Sequence, residues 1–186
     1  MVKDARSLVH QLQTAGKEAS LVNEVYLANK RQLEFFLSRA EQEANFNWQG
    51  KTVALLGQAF KQDTNDIRNS PSIDSVRFLQ EKRVKKIQTY DPAAMEMFKL
   101  LFPASEQLIY LKDEFEAIKD ADVIIIAADW PQFRSLADKM LSESQNPPLI
   151  MDGRRMLQHR YNDLQQAGFD IIAVGSPFLP GIRHKP

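Results

Sequence analysis

Residues 123–128 read VIIIAA, an unbroken apolar run rich in β-branched side chains. A half-exposed strand alternates apolar and polar residues, so an unbroken run of this length marks a strand buried on both faces. Such strands belong to parallel sheets covered by helices. The chain from residue 52 onward agrees. Short apolar segments at Thr52–Leu56, Lys86–Tyr90, Gln107–Leu111, Val123–Ala127, Leu149–Met151 and Ile171–Val174 alternate with helical patterns at Ser72–Lys82, Ala93–Phe102, Asp113–Ile118, Pro131–Leu141 and Tyr161–Ala167. Repetition at this spacing requires right-handed crossovers. It predicts an α/β fold, a doubly wound, Rossmann-like parallel sheet of about six strands. The tail after Gly175, SPFLPGIRHKP, holds three prolines and a glycine and is expected to be irregular.

A helical segment precedes this sheet. Lys3–Thr14 sets Leu8, Val9 and Leu12 on one face, and Gly16 breaks the pattern. Ser20–Ala44 then runs without Gly or Pro, with Leu21, Val22, Val25, Leu33, Phe36, Leu37 and Ala40 spaced near 3.6 residues. A helix of roughly 25 residues extends ~37 Å, more than covering one small sheet requires. It is expected to reach a second domain or subunit, the plainer alternative being a long surface helix packed on its own domain. The polar connector Asn45–Gly50 divides the chain into a helical segment, 1–48, and an α/β domain, 49–186.

Composition excludes several functions. Lys+Arg and Asp+Glu stand at 24 each, so no overall basic field argues for nucleic acid. The KRVKK run at 82–86 lacks interleaved aromatics and reads as a solvated helix end. No apolar run approaches the roughly 20 residues of a membrane span. The start, MVKDARSLVHQL, lacks the apolar core of a signal peptide, and a cytoplasmic location is expected. The absence of cysteine excludes disulfides, thiolate metal sites and thiol catalysis by this chain. His10, His159 and His184 show no metal-ligand spacing and are expected to face solvent. Ser7, Ser70 and Ser72 lack the context of a serine nucleophile.

The stretch Val53–Pro71, VALLGQAFKQDTNDIRNSP, carries the strongest functional signal. A strand ends at Gly57, a polar loop follows, and Ser70-Pro71 supplies an N-cap and a first helical residue. Open α/β sheets bind ligands beyond the carboxyl ends of their strands. Lys61, Arg68 and the helix N-terminus make this loop suited to a phosphorylated ligand. The loop is neither Walker-type nor GxGxxG, since only Gly57 is present. The ordinary alternative is a strand-to-helix loop with solvated cations. Three other strand ends point to the same rim: Tyr90-Asp91-Pro92, Ala128-Asp129-Trp130 and Asp152-Gly153-Arg154-Arg155. Dinucleotide folds hold a ribose hydroxyl at the position of Asp91. Without GxGxxG, however, Asp91 reads first as a helix N-cap. Asp129 reads as a cap for a helix starting at Pro131, with Trp130 packing. Arg154 and Arg155 offer forked donors for phosphate or ribose, the alternative being an Asp152–Arg pair that fixes the turn.

Several segments, in order along the chain, resemble the UDP-glucose/GDP-mannose dehydrogenase family. GQAFKQDTNDIRNSP is similar to the GxxFKxxTxDxRxSP signature that opens its C-terminal domain. Asp152, Gly153, Arg154 and Leu157 match its DGRxxL pattern, and Trp130 with Phe133 matches the aromatic pair of a TEWxxF stretch. Asn29 and Gln32 match an NxxQ pattern on the family's long central helix. Lys3 and Asp4 match the last two places of CFPKD, with Met1 and Val2 replacing the aromatic and the proline and the cysteine position falling before the start.

The resemblance implies that residues 49–186 bind the nucleotide of a UDP-sugar or GDP-sugar and that the long helix builds a homodimer. It implies a separate N-terminal domain that binds NAD. Phe60 would lie beside the base, Lys61 and Arg154 at the nucleotide sugar, and Arg68 would shape the loop. Asp4 would be a remnant of the catalytic cysteine site. The implied parent reaction is a two-step, NAD-dependent oxidation of a sugar C6 alcohol to a carboxylate, through a cysteine-bound thiohemiacetal and thioester. Without the cysteine and the NAD domain, this chain is expected to be inactive by itself. A non-enzymatic alternative is a stand-alone nucleotide-sugar-binding or dimerising module. A flavodoxin- or receiver-like domain fits the sheet pattern but not Gly57-Gln58, which stands where an acidic cluster would be.

Overall fold

The structure, a computed structural model, describes residues 2–143 and 146–182; for residues 2–6 and Tyr26 it describes the backbone alone. The chain divides into two compact units, Met1–Ser38 and Arg39–Pro186. Helix α1 (Val2–Thr14) belongs to the first, and α2 (Ser20–Ala44) runs across the division. Gly16, at φ +65°, makes the break between them. The apolar side of α2 behaves differently along its length. Leu21 and Val25 are 79% and 61% exposed, whereas Phe36, Leu37 and Ala40 are buried.

The second unit holds a six-stranded sheet in the order β3-β2-β1-β4-β5-β6. Its strands are β1 (Thr52–Leu56), β2 (Lys86–Tyr90), β3 (Leu108–Tyr110), β4 (Val123–Ile126), β5 (Leu149–Asp152) and β6 (Ile171–Ala173). Every pairing is parallel, with Leu56 level with both Tyr90 and Ile126. All four residues of β4 are buried, as the VIIIAA run requires. The crossover helices are α3 (Pro71–Glu81), α4 (Met95–Leu101), α5 (Glu114–Ile118), α6 (Leu136–Glu143) and α7 (Tyr161–Gln166). On one face Ala54, Leu56, Ile124 and Ile126 pack with Ala117, Phe133, Met140 and Leu164 in one buried cluster. Strand alternation turns Val53, Leu55 and Ile125 to the opposite face. Trp48, just before β1, is fully buried and stands edge-on to Phe78 of α3 at 5.5 Å.

Arg39, at the end of α2, is buried. Its guanidinium forks onto Glu43 at 2.8 and 2.9 Å and donates to the carbonyls of Ala173 (2.8 Å) and Ser176 (2.9 Å). The last turns of this helix are thereby fastened to the exit of β6.

Two expectations need correction. Pro131–Leu141 is not one α-helix but a 3-10 turn, Pro131–Ser135, followed by α6. The turn has no side-chain cap, so Asp129 does not cap it. The described part of the tail is irregular, as expected, apart from one isolated bridge. Leu179 bridges antiparallel to Ile171 through N–H to carbonyl bonds of 2.8 and 3.0 Å. An edge strand needs partners for the backbone groups on its outer side, and Leu179, between Pro177 and Pro180, keeps an N–H that can donate to β6.

No helix among the described residues is long and apolar enough to cross a membrane.

Candidate functional site

Neighbouring strands β1 and β4 leave the sheet where the strand order reverses, the position at which open α/β sheets form a crevice. Their exits lie very close together. A Cβ added to Gly57 would sit 2.4 Å from the Cβ and 2.7 Å from the N of Ala128, and the residue adopts φ +90°. Both facts require glycine here. The Gly57 N–H donates to the carbonyl of Tyr90 at 2.9 Å, and that of Ala127 to the carbonyl of Leu56 at 2.8 Å. The exits of β2, β1 and β4 are thus joined.

The loop that starts at Gly57 is braced from within. The Phe60 N–H donates to the Asp66 carbonyl at 3.0 Å, and Thr64 Oγ1 accepts from the Asp66 N–H at 3.1 Å. The Asp66 carboxylate accepts from the backbone N–H of Arg68 (2.9 Å) and from its guanidinium (2.6 Å at the closest). Asp63 and Asn69 both take φ +59°, a conformation these two residue types tolerate better than most. At the helix end, Ser70 Oγ accepts from the Ser72 N–H at 3.2 Å with Pro71 in the first turn, which bears out the N-cap reading. The Ser72 hydroxyl donates to the Gly57 carbonyl and ties the end of the loop to its start.

Three of the expected site residues are brought together at this crevice. The Lys61 ammonium lies 5.4 Å from the centroid of the exposed Phe60 ring. Arg154 reaches across from the β5 exit, donating through Nε to the Ala127 carbonyl (2.9 Å) and through Nη2 to the Phe60 carbonyl (3.5 Å). Arg68 belongs to the same loop but turns to Asp66, whose hydrogen bonds and charge raise its pKa above the ordinary guanidinium value. The side chain of Asp4 lies outside the described residues, as does His184. His10 and His159 are exposed. Among the described residues, no group of three or more His, Cys, Asp or Glu is placed to hold a metal ion.

Two buried carboxylates stand behind the crevice. Asp91, at the β2 exit, is fully buried and among the described residues accepts five N–H bonds. They come from Gln58 (2.6 Å) and Ala59 (3.0 Å) in the β1 loop, Ala93 (2.8 Å) and Ala94 (2.7 Å) in its own turn, and the Trp130 indole (3.0 Å). Asp91 is not the N-cap of α4, whose cap position is Ala94 without a side-chain bond; it braces the turn before that helix and also anchors two distant loops. Trp130 therefore does more than pack. Asp152, also fully buried, accepts from the N–H groups of Arg154 (3.2 Å), Met156 (3.0 Å) and Leu157 (2.8 Å) and from the Tyr161 hydroxyl (2.9 Å). The β5 turn is fixed by these bonds rather than by an Asp152–guanidinium pair, which leaves the Arg154 side chain to the crevice. Burial, with Asp152 beside it, pushes the Tyr161 hydroxyl pKa up. Sequence reasoning did not single out Gln58 or Ala59, whose partner Asp91 is distant in sequence, or Arg39, whose i,i+4 pair with Glu43 gives no sign of its bonds to the Ala173 and Ser176 carbonyls.

The crevice presents an aromatic ring, an ammonium and a guanidinium around a strand exit, groups suited to a base and a phosphate. It does not suit a dinucleotide. The glycine-rich turn is absent, and the Asp91 oxygens that would hold a ribose hydroxyl are taken up by N–H donors.

Comparison with known proteins agrees with this architecture. Residues 54–159 match the model described as the UDP-glucose/GDP-mannose dehydrogenase family, UDP binding domain. The UDP-glucose 6-dehydrogenase TuaD of Bacillus subtilis is 28% identical over 96% of this chain and 38% of its own length. The UDP-glucose 6-dehydrogenase 4 of Arabidopsis thaliana is 31% identical over 99% and 42%. Among solved structures, a UDP-D-ManNAc dehydrogenase from Pyrococcus horikoshii is similar at a TM-score of 0.66 and 26% identity, covering 88% of this chain and 35% of the other. An NDP-N-acetyl-D-galactosaminuronic acid dehydrogenase from Methanosarcina mazei shares the fold at a TM-score of 0.74 and 21% identity, over 97% and 38%. The chain spans about two fifths of the length of the relatives it matches.

Proposed function

This chain belongs to the UDP-glucose/GDP-mannose dehydrogenase family, and from that premise we propose that it is the nucleotide-binding and dimerising part of an NAD-dependent nucleotide-sugar 6-dehydrogenase. Residues 49–186 form the binding domain and residues 1–48 the helical segment that pairs two copies. The ligand is a UDP-sugar or GDP-sugar, whose nucleoside diphosphate is held by Phe60, Lys61 and Arg154, with Arg68 keeping the loop in shape.

One observation carries this reading: Arg154, 94 positions away in sequence, reaches the Phe60 carbonyl at the exits of β1 and β4, where Lys61 lies beside the Phe60 ring. The ring supplies a face for the base, and the two cations supply charge for the diphosphate. Binding energy gained on this non-reacting part of the substrate fixes where the sugar's C6 carbon lies, which is how remote contacts serve a chemical step. The oxidation of that alcohol to a carboxylate needs a thiol and a nicotinamide that other segments supply. The chain itself has no cysteine, and its β2 exit does not fit NAD. The exposed Leu21 and Val25 on α2 support the pairing of two copies.

Calorimetric titration with UDP, GDP and NAD in turn tests the reading. Saturable binding of UDP or GDP is expected, weakened at least tenfold by Lys61→Ala. Binding of NAD alone overturns it. UDP or GDP binding by a chain that never assembles with an NAD-binding domain favours the stand-alone module, for which the missing thiol speaks.

A further inference from the structure

Lys61 stands on a loop that has no regular secondary structure of its own between Gly57 and Ser70, and Arg154 reaches that loop's Phe60 carbonyl from the β5 exit. Something outside the loop must fix where it starts. The backbone N–H groups of Gln58 and Ala59, the two residues before Phe60 and Lys61, both donate to a single oxygen, Oδ2 of Asp91. The Trp130 indole donates to that same oxygen from the β4 exit, and Ala93 and Ala94 hold the other oxygen in place. The carboxylate is fully buried. Charge-assisted bonds of this kind are short and roughly twice as strong as neutral ones, and their donors find no water to replace a lost acceptor.

We infer that Asp91 is a positioning residue for the nucleotide site: it touches no ligand, and it sets the start of the Phe60–Arg68 loop against the β4 exit so that Lys61 and Arg154 face one diphosphate. The inference rests on the proposed nucleotide reading for its ligand, but the anchoring is measured separately. Asp91→Asn keeps the size of the side chain and sets an amide NH2 against N–H donors in place of one oxygen. An arrangement that retains the oxygen toward Ala93 and Ala94 releases Gln58 and Ala59; the opposite arrangement releases the helix turn. A purely structural role lowers the melting temperature and leaves the affinity of the folded fraction alone.

The experiment pairs amide hydrogen exchange with UDP and GDP titration of the full chain, well below the melting temperature of each variant. For Asp91→Asn, at least tenfold faster exchange is expected across residues 58–66, with exchange in β1, β4 and β5 unchanged. At least tenfold weaker nucleotide binding should accompany it. Unchanged affinity in a folded Asp91→Asn chain overturns the positioning role. If Asp91→Asn does not fold, Trp130→Phe is read instead, since it removes one donor from the same oxygen and leaves the backbone anchors. Three- to fivefold faster exchange at Gln58 and Ala59, with a matching loss of affinity, is then expected; parent-like exchange and affinity overturn the inference. Should the parent chain bind neither UDP nor GDP, the nucleotide reading falls, and with it the role assigned here, whatever the exchange data show of the anchor.

Discussion

Asp91 and Asp152 occupy the same rim of the sheet, are equally buried, and spend their oxygens in opposite ways. Asp152 gathers donors from its own neighbourhood, Arg154 to Tyr161, and so fastens one turn. Asp91 gathers donors from residues 58, 59, 93, 94 and 130, and so fastens three strand exits to each other. Both are buried charges satisfied by hydrogen bonds, as buried charges must be. The difference lies in reach. A local fastener, when lost, frays one turn; a shared one loosens every loop that meets at it.

Substitutions can break or sharpen that contrast. The largest effect is expected from Asp91→Ala, which leaves five N–H groups without their acceptor and should cost about 4 kcal/mol or more in urea unfolding. Gly57→Ala comes next, at about 3 kcal/mol, because a methyl would meet Ala128 in a left-handed backbone conformation. Asp152→Ala should cost about 2–3 kcal/mol and confine its increase in hydrogen exchange to residues 153–161. A loss of protection at residues 58–66 in that variant would contradict the division into local and shared anchors. Tyr161→Phe removes one donor to Asp152 and should cost about 1 kcal/mol.

The smallest effect is a pH dependence away from both aspartates. Tyr110 donates its hydroxyl to the Phe102 carbonyl at 2.6 Å, and burial, with Glu96 adding to it, pushes its pKa up to about 12. A phenol whose pKa is raised on folding stabilises the fold fully below its unfolded value near 10. That contribution is lost as the pH rises from about 10 to about 12. Tyr110→Phe should therefore flatten the fall in stability over this window, read by unfolding at a series of alkaline pH values. A fall unchanged in the variant would assign it to other groups.

Much of the fold was legible because it rests on local patterns. The bounds of β1 and β2 and of the long helix Ser20–Ala44 follow from apolar periodicity, and Ser70-Pro71 marks the start of α3. The boundary between the 3-10 turn and α6 did not follow. Pro131 starts either kind of helix equally well, and the tighter winding shows in no residue type. For the candidate site, sequence nominates residues but not their wiring. Phe60, Lys61 and Arg154 were singled out, but the carbonyls that Arg154 reaches belong to residues 27 and 94 positions away. Asp91-Pro92 reads as a cap, and its bonds to Gln58, Ala59 and Trp130 exist only once three strands lie side by side. Periodicity reports which face a residue takes, not which distant donor will find it.

Gly57 and Ala128 set a gauge at the mouth of the sheet. On that line the Gly57 backbone faces the single methyl of Ala128, and the width of the opening is fixed by that contact. An opening set in this way cannot be tuned gradually, because the smallest addition the genetic code allows at residue 57 already exceeds the clearance. Variation in what the crevice accepts must then come from its walls, the Phe60–Arg68 loop and the Arg154 turn, while the gap between them stays constant.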